Sequence, residues 1–290
     1  MLDSGLRLNL FGMPTVVARD EPVTLSPSAT MVFAYLALAP SGGRPRSVAA
    51  AQLFADCSTG TARRRLNTAL WRLRSEIRSN VGVEVIANVG GPCVGLDAAA
   101  GVTVDASVFQ DLVAPVLQRD EATVTEADAA RLETAASMYC GELLEACHDE
   151  WVLAHRNRIE NLYLSTLDCL VRHHGERGDV AAVTRFGELA LGLEPLREDV
   201  HRHLMTAYAD AGRDDLVERQ FERCRMVLLD ELGADPMPET VALYARLARH
   251  DRSRSASVAA LTAELERARR EVGRLTETID RALGRLRRMS

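Results

Sequence analysis

The 290-residue sequence contains no lysine; every one of its 35 Lys/Arg positions is arginine. That absence removes the phosphate-loop lysine of nucleotide enzymes, the Schiff-base lysine and the lysine general base. Aromatic residues are scarce, at 4%, so a core must be built from Leu, Ala and Val, which favours packed helices. The six cysteines (Cys57, Cys93, Cys140, Cys147, Cys169 and Cys224) are scattered and form no CxxC pair. Cys140, Cys147 and His148 come nearest to a ligand cluster, but their spacing fits no common zinc site, and buried apolar thiols are the simpler expectation. Neither a secretory signal nor an apolar run of about 18 residues occurs, which predicts a soluble protein of the reducing cytoplasm with no membrane partner. Ser-His-Asp spacing, a zincin motif and a glycine-rich phosphate loop are also missing. The chain is therefore expected to be no enzyme and to need no metal or cofactor, and His173-His174 read as residues near a helix end.

Charge is present but unevenly spread. Residues 1–96 carry 10 arginines against 6 acids, residues 97–250 carry 15 against 29, and residues 251–290 carry 10 against 6. An acidic middle repels a phosphate backbone, so any contact with nucleic acid is expected from the N-terminal third.

Within that third, residues 61–78 read TARRRLNTALWRLRSEIR. Leu66, Leu70, Leu73 and Ile77 recur at i, i+4, i+7 and i+11, which makes one stripe of a helix apolar. Arg63, Arg64, Arg65, Arg72, Arg74 and Arg78 surround the stripe, with Glu76 the only acid. A guanidinium forks onto phosphate oxygens or onto the O6/N7 edge of guanine, so such a helix suits a DNA groove. The competing explanation is a solvated charged face. Arg65, Thr68 and Arg72 lie on one flank, and Arg64, Asn67 and Trp71 occupy other exposed positions. Trp71 is either part of that surface or packed against the N-terminal sheet.

The order of elements points the same way. Leu6–Gly12, Pro14–Arg19 and Pro22–Leu25 read as short strands. A helix capped by Ser26 or Ser28 follows, then a short helix capped by Ser47 and carrying Val48, Leu53 and Phe54. After the arginine helix, Val81–Val89 alternates, turns at Gly90-Gly91-Pro92 and returns through Val94 and Leu96. Strands, three helices and a glycine-tipped hairpin are the sequence of a winged helix-turn-helix with an N-terminal sheet.

From about residue 125 the texture becomes long amphipathic helices. Leu170 and Leu204, Gly178 and Gly212, Val183 and Val217, and Ala190 and Cys224 are each 34 apart, the period of a tetratricopeptide repeat. Tyr208 and Phe221 fit the same pattern, and Pro195 closes the first unit. Flanking helices are expected at about 126–139, 150–160 and 238–249. Arg249–Ser257 reads as a flexible polar linker. From Val258 to Met289 apolar residues recur at 3-4 spacing, with Val, Leu, Val, Ile and Leu at a, which favours a parallel helix pair. Glu264 could meet Arg269 of a partner helix, while Glu266–Arg270 and Glu277–Arg281 support the helix internally. Folding of this tail back onto the repeats is the alternative to a homodimer through 258–289.

Several stretches carry a family resemblance. They are Leu53-Phe54-Ala55-Asp56, Ala62-Arg63-Arg64-Arg65-Leu66, Leu70-Trp71-Arg72-Leu73-Arg74 and Val104-Asp105 with Phe109. Further on come Gly141-Glu142-Leu143-Leu144, Leu193-Glu194-Pro195-Leu196-Arg197 and Leu232-Gly233-Ala234-Asp235-Pro236. Residues 1–97 resemble an OmpR-type winged-helix DNA-binding domain. Residues 6 to about 250 resemble the antibiotic regulatory protein (SARP) family, in which a tetratricopeptide-like bacterial transcriptional activation domain follows, here at 98–250; residues 251–290 lie outside the likeness. The resemblance implies an activator of a biosynthetic gene cluster that binds repeated promoter sites in double-stranded DNA and engages RNA polymerase and its sigma factor. It implies a base contact for Arg72 and a phosphate contact for Arg74. At the wing, Cys93-Val94-Gly95 stands where relatives carry Gly-Tyr. The fold expected is mainly α: a winged helix with a small sheet and hairpin wing, helical repeats and a coiled-coil-like tail. An interaction scaffold or a ligand-responsive regulator built on the repeats is the rival function.

Overall fold

In the computed structural model the described residues are 5–39, 43–119 and 124–286, and of 250–260, 275 and 277–286 only the backbone is described. The chain forms two compact units, Met1–His173 and His174–Ser290.

The first unit opens with an antiparallel meander of β1 (Leu6–Asn9), β2 (Thr15–Ala18) and β3 (Glu21–Val23). Leu6 and Leu8 are fully buried, and Arg7 between them pairs with Asp20 across the turn at 2.6 Å. α1 (Pro27–Ala37) follows. Ser26 is its N-cap residue, as expected, but its hydroxyl makes no capping bond. β4 (Arg44–Pro45) leads into α2 (Arg46–Leu53), whose N-cap is Pro45 and not Ser47. Pairing of β4 with a later strand fixes the chain two residues earlier than the Ser47 signal suggests.

α3 (Thr59–Val81) is longer than the 61–78 segment and ends at Gly82, whose φ of 78° stops the helix. The wing strand therefore begins after the expected Val81. β5 (Ile86–Asn88) and β6 (Cys93–Leu96) form the hairpin, and β4 joins them in a sheet of order β4-β6-β5. Gly95 keeps this junction tight, since a Cβ there would stand 2.9 Å from the Val89 side chain and 3.2 Å from the Gly43 backbone. β7 (Thr103–Val104) then runs parallel beside β1, completing the order β3-β2-β1-β7.

β7 passes directly into α4 (Asp105–Leu117), and the Asp105 carboxylate accepts the N–H groups of Leu10 (2.8 Å) and Phe11 (3.1 Å). α5 (Glu126–Met138) starts from a reciprocal capping box between Thr125 and Asp128. α6 (Glu150–Glu176) runs well past the expected 160. The loop between them extends the sheet: Gly12 N–H donates to Glu142 O at 2.9 Å and Leu144 N–H to Leu10 O at 2.8 Å. Buried Arg156 of α6 secures that loop, donating to the carbonyls of Leu143, Leu144 and Cys147 at 2.9–3.1 Å and pairing with Glu142 at 2.9 Å. Phe11 meets Phe109 edge-on, and Tyr139 stacks on Tyr163. The winged-helix segment and α4–α6 thus share one core, which is why the compact unit extends beyond residue 97.

The second unit contains α7 (Val180–Leu193), α8 (Glu198–Asp210), α9 (Asp214–Leu232) and α10 (Pro238–Leu286). The 34-residue period has a physical basis here. Gly178 and Gly212 hold equivalent inter-helix turns at φ of 70° and 68°. Gly187 lets α8 approach α7, because a Cβ there would lie 2.9 Å from Leu204. Buried Glu198 accepts the Met237 N–H and the Thr240 hydroxyl, fastening α8 to the start of α10. The expected linker at 249–257 is helical instead, as one backbone runs through Pro238–Leu286. The segment holds neither Gly nor Pro, and its arginines and alanine are good helix formers, so nothing interrupts propagation. The fold is mainly α with two small sheets, as the sequence predicts.

Candidate nucleic-acid interface

The site is built on α3. Ala62, Leu66, Ala69, Leu70, Leu73 and Ile77 are all at most 2% exposed. Each leucine buried this way contributes roughly 1.5–3 kcal/mol, enough to fix the rotation of the helix about its axis. α1 and α2 both pack against α3. With that stripe held, Arg63, Arg64, Arg65, Asn67, Thr68, Trp71 and Arg72 all fall on the exposed side. Trp71 is 66% exposed, which decides against its packing on the N-terminal sheet.

The arginines differ in how they are held. Arg63 has no polar partner among the described residues. Arg64 donates to the Thr61 hydroxyl at 3.2 Å, Arg65 lies 3.6 Å from Asp56, and Arg72 reaches Ser28 Oγ at 3.5 Å. These are weak, solvent-exposed contacts that an incoming phosphate can replace. Arg74 is different. It is half-buried and donates to Glu84 at 3.3 Å, and Arg78 binds the other oxygen of the same carboxylate at 2.8 Å.

One residue escaped the sequence reading. Arg46, at the start of α2, donates to Asn67 Oδ1 at 3.5 Å and to Asn88 Oδ1 at 3.0 Å. It joins α2, α3 and the wing, and it adds a guanidinium beside the outward face. The available signal was the Arg44-Pro45-Arg46 triplet just ahead of a short helix. Arg44 turns inward instead, with its guanidinium 5.1 Å from the centre of the buried Tyr35 ring.

The other candidates are less connected. Cys140 is exposed and Cys147 buried, and among the described residues no group of three or more His, Cys, Asp or Glu is placed to hold a metal. Burial pushes the Cys147 and Cys169 thiols up, and pushes Cys224 up to about 11. Among the described residues no helix is long and apolar enough to cross a membrane. On α10, Leu261, Leu265 and Val272 are exposed, and Glu266 lies 3.8 Å from Arg270 as the heptad reading expects. The side chains of Val258, Leu275, Ile279, Ala282 and Leu286, and the Glu277–Arg281 pair, lie outside the described residues, as does Met289.

The chain thus joins a winged helix with an arginine-faced third helix to paired helices at a 34-residue period. The chain belongs to the family described as the bacterial transcriptional activator domain, whose profile matches residues 104–248. No curated protein sequence matches. Among solved structures, Mycobacterium tuberculosis EmbR in complex with a low-affinity phosphopeptide is similar in fold. It has 21% identity and a TM-score of 0.67 over 90% of this chain and 71% of that one.

Proposed function

We propose that the protein is a sequence-specific DNA-binding activator, with residues 1–97 as the reader, 98–250 as the activation module and 251–290 as a dimerising arm. One observation carries the proposal: α3 turns six side chains able to meet phosphate or base edges (Arg63, Arg64, Arg65, Asn67, Thr68 and Arg72) outward around an exposed Trp71. The ionic partners of its arginines, Asp56 and Glu84, both come from the winged-helix segment itself. In this proposal the exposed face of α3 enters the major groove, Arg72 reads a base edge and the remaining arginines neutralise phosphates.

Repeated sites near the promoter of a biosynthetic gene cluster are the expected targets, with RNA polymerase and its sigma factor the expected partners, all in the cytoplasm at the nucleoid. Leu261, Leu265 and Val272 are supplied as an apolar seam for a second copy, so that two winged helices bind in tandem with raised effective concentration. Selection of bound duplexes from a random pool, followed by footprinting on the winning sequence, tests the proposal. A protected repeat is expected, whereas no enriched sequence would reject it.

A further inference from the structure

A cavity of about 820 Å³ lies between α4 and α6 in the first unit, and none of the residues assigned to DNA contact lines it. The core side of α6 is filled by Ile159, Tyr163, Leu167 and Leu170, all buried. The cavity uses the neighbouring side, where lining residues recur from Arg158 to Arg172. Fourteen steps of about 1.5 Å along the helix make this an elongated groove of about 21 Å. Leu117 of α4 and Leu162 and Cys169 of α6 give it an apolar strip, in which the two leucines are half-buried and the cysteine is buried.

Its charges are unequal in availability. Arg119 is engaged by Asp128 at 3.2 Å, and Arg172 and Asp168 each have partners within the fold. Arg158 has no hydrogen bond or ion pair among the described residues. The groove's volume falls within the about 300–1,000 Å³ of small-molecule sites, and its lining sets an apolar strip beside polar and charged groups. Asp168 on the same wall disfavours a dianion, and the elongated apolar strip disfavours a compact polar ligand.

We propose that this groove binds an amphipathic organic monoanion, with its apolar chain along Leu117, Leu162 and Cys169 and its carboxylate on Arg158. The Cys169 thiol, kept protonated by burial, adds no competing negative charge.

Dodecanoate, used below its micellar concentration with the full chain, tests the assignment by titration calorimetry. One saturable site per chain is expected, with dodecanol, the uncharged counterpart, binding about tenfold more weakly. Arg158→Gln is expected to weaken dodecanoate by about tenfold and leave dodecanol unchanged. Ser165→Trp, which fills the groove with an indole from an exposed position, is expected to weaken both. Both positions are exposed, so unchanged thermal melts identify properly folded variants. Absence of saturable dodecanoate binding, equal affinity for acid and alcohol, or binding that neither substitution alters overturns the proposal.

Discussion

The Glu76 carboxylate accepts the backbone N–H of Ser26 at 2.9 Å, so the only acidic side chain of α3 is spent on fixing the start of α1. The arginine helix thereby keeps its outward face free of acid while its rear is fastened to the neighbouring helix. Glu76→Ala strands a partly buried N–H and removes a charge-assisted bond. A loss of about 2 kcal/mol in urea unfolding is expected; full retention of stability would show that the contact carries no weight.

Arg72 and Arg74 are expected to separate in binding assays. Arg72→Ala should cost about 1–3 kcal/mol on the preferred sequence and relax discrimination at one base position. Arg74 and Arg78 share Glu84, so any phosphate they bind must compete with that carboxylate. Glu84→Gln should therefore tighten binding to all duplexes at low salt and steepen the salt dependence by about one phosphate equivalent. Gel shifts across a salt series read both effects, and an unchanged slope in Glu84→Gln argues against a phosphate role for this pair.

Arg156 holds three backbone carbonyls and Glu142 in a buried position. Arg156→Met preserves the length of the side chain but leaves those acceptors without their donor. Destabilisation of about 3 kcal/mol is expected, together with faster amide exchange at Leu144 and Gly12, whose N–H bonds join the loop to the sheet.

Stability should fall as the solution is acidified from neutral. His201 is buried and neutral: its Nδ1 accepts from Gln220 at 2.7 Å and its Nε2 donates to Pro195 O at 3.3 Å. Burial holds its pKa below the usual histidine value, outweighing the bond to Pro195. The unfolded chain takes up a proton near pH 6.5 while the folded one resists. The stability present above that value is lost as pH falls through the folded pKa. His155 shifts the same way, through burial and then the Arg44 and Arg158 charges. Chemical denaturation between pH 7.5 and 5.5 (about one unit to either side of the unfolded value) should show this slope, and His201→Gln should make it shallower.

The α10 extension is expected to dimerise the protein. Sedimentation of the intact chain should give a dimer mass, and removal of residues 257–290 should give a monomer with weaker binding to tandem sites. A monomer mass for both proteins would end this assignment.

Much of the fold was legible in the residues. The 3.6-residue period of α3 and the 34-residue spacing of Gly178 and Gly212 are both local patterns, and both appear in the structure where the sequence places them. The helix starts expected at about 126, 150 and 238 are also where the structure has them, and one start differs. Ser47 resembled a cap, yet the N-cap is Pro45, because the β4–β6 pairing is set by residues some fifty positions away. The polarity of 249–257 resembles a loop, whereas a helix needs only the absence of breakers, and the segment is helical. β7 was invisible, since two residues carry no period and their partner strand is about a hundred positions distant.

The sequence by itself determined that α3 has one greasy edge and a basic surround, because periodicity and charge are properties of a helix wherever it sits. Only the tertiary structure decided which guanidinium groups remain available. Arg74 is drawn to Glu84, Arg44 turns onto Tyr35, and Arg46 enters the site from another helix. Availability depends on which acids and rings distant parts of the chain bring within a few ångströms, and no local pattern encodes that.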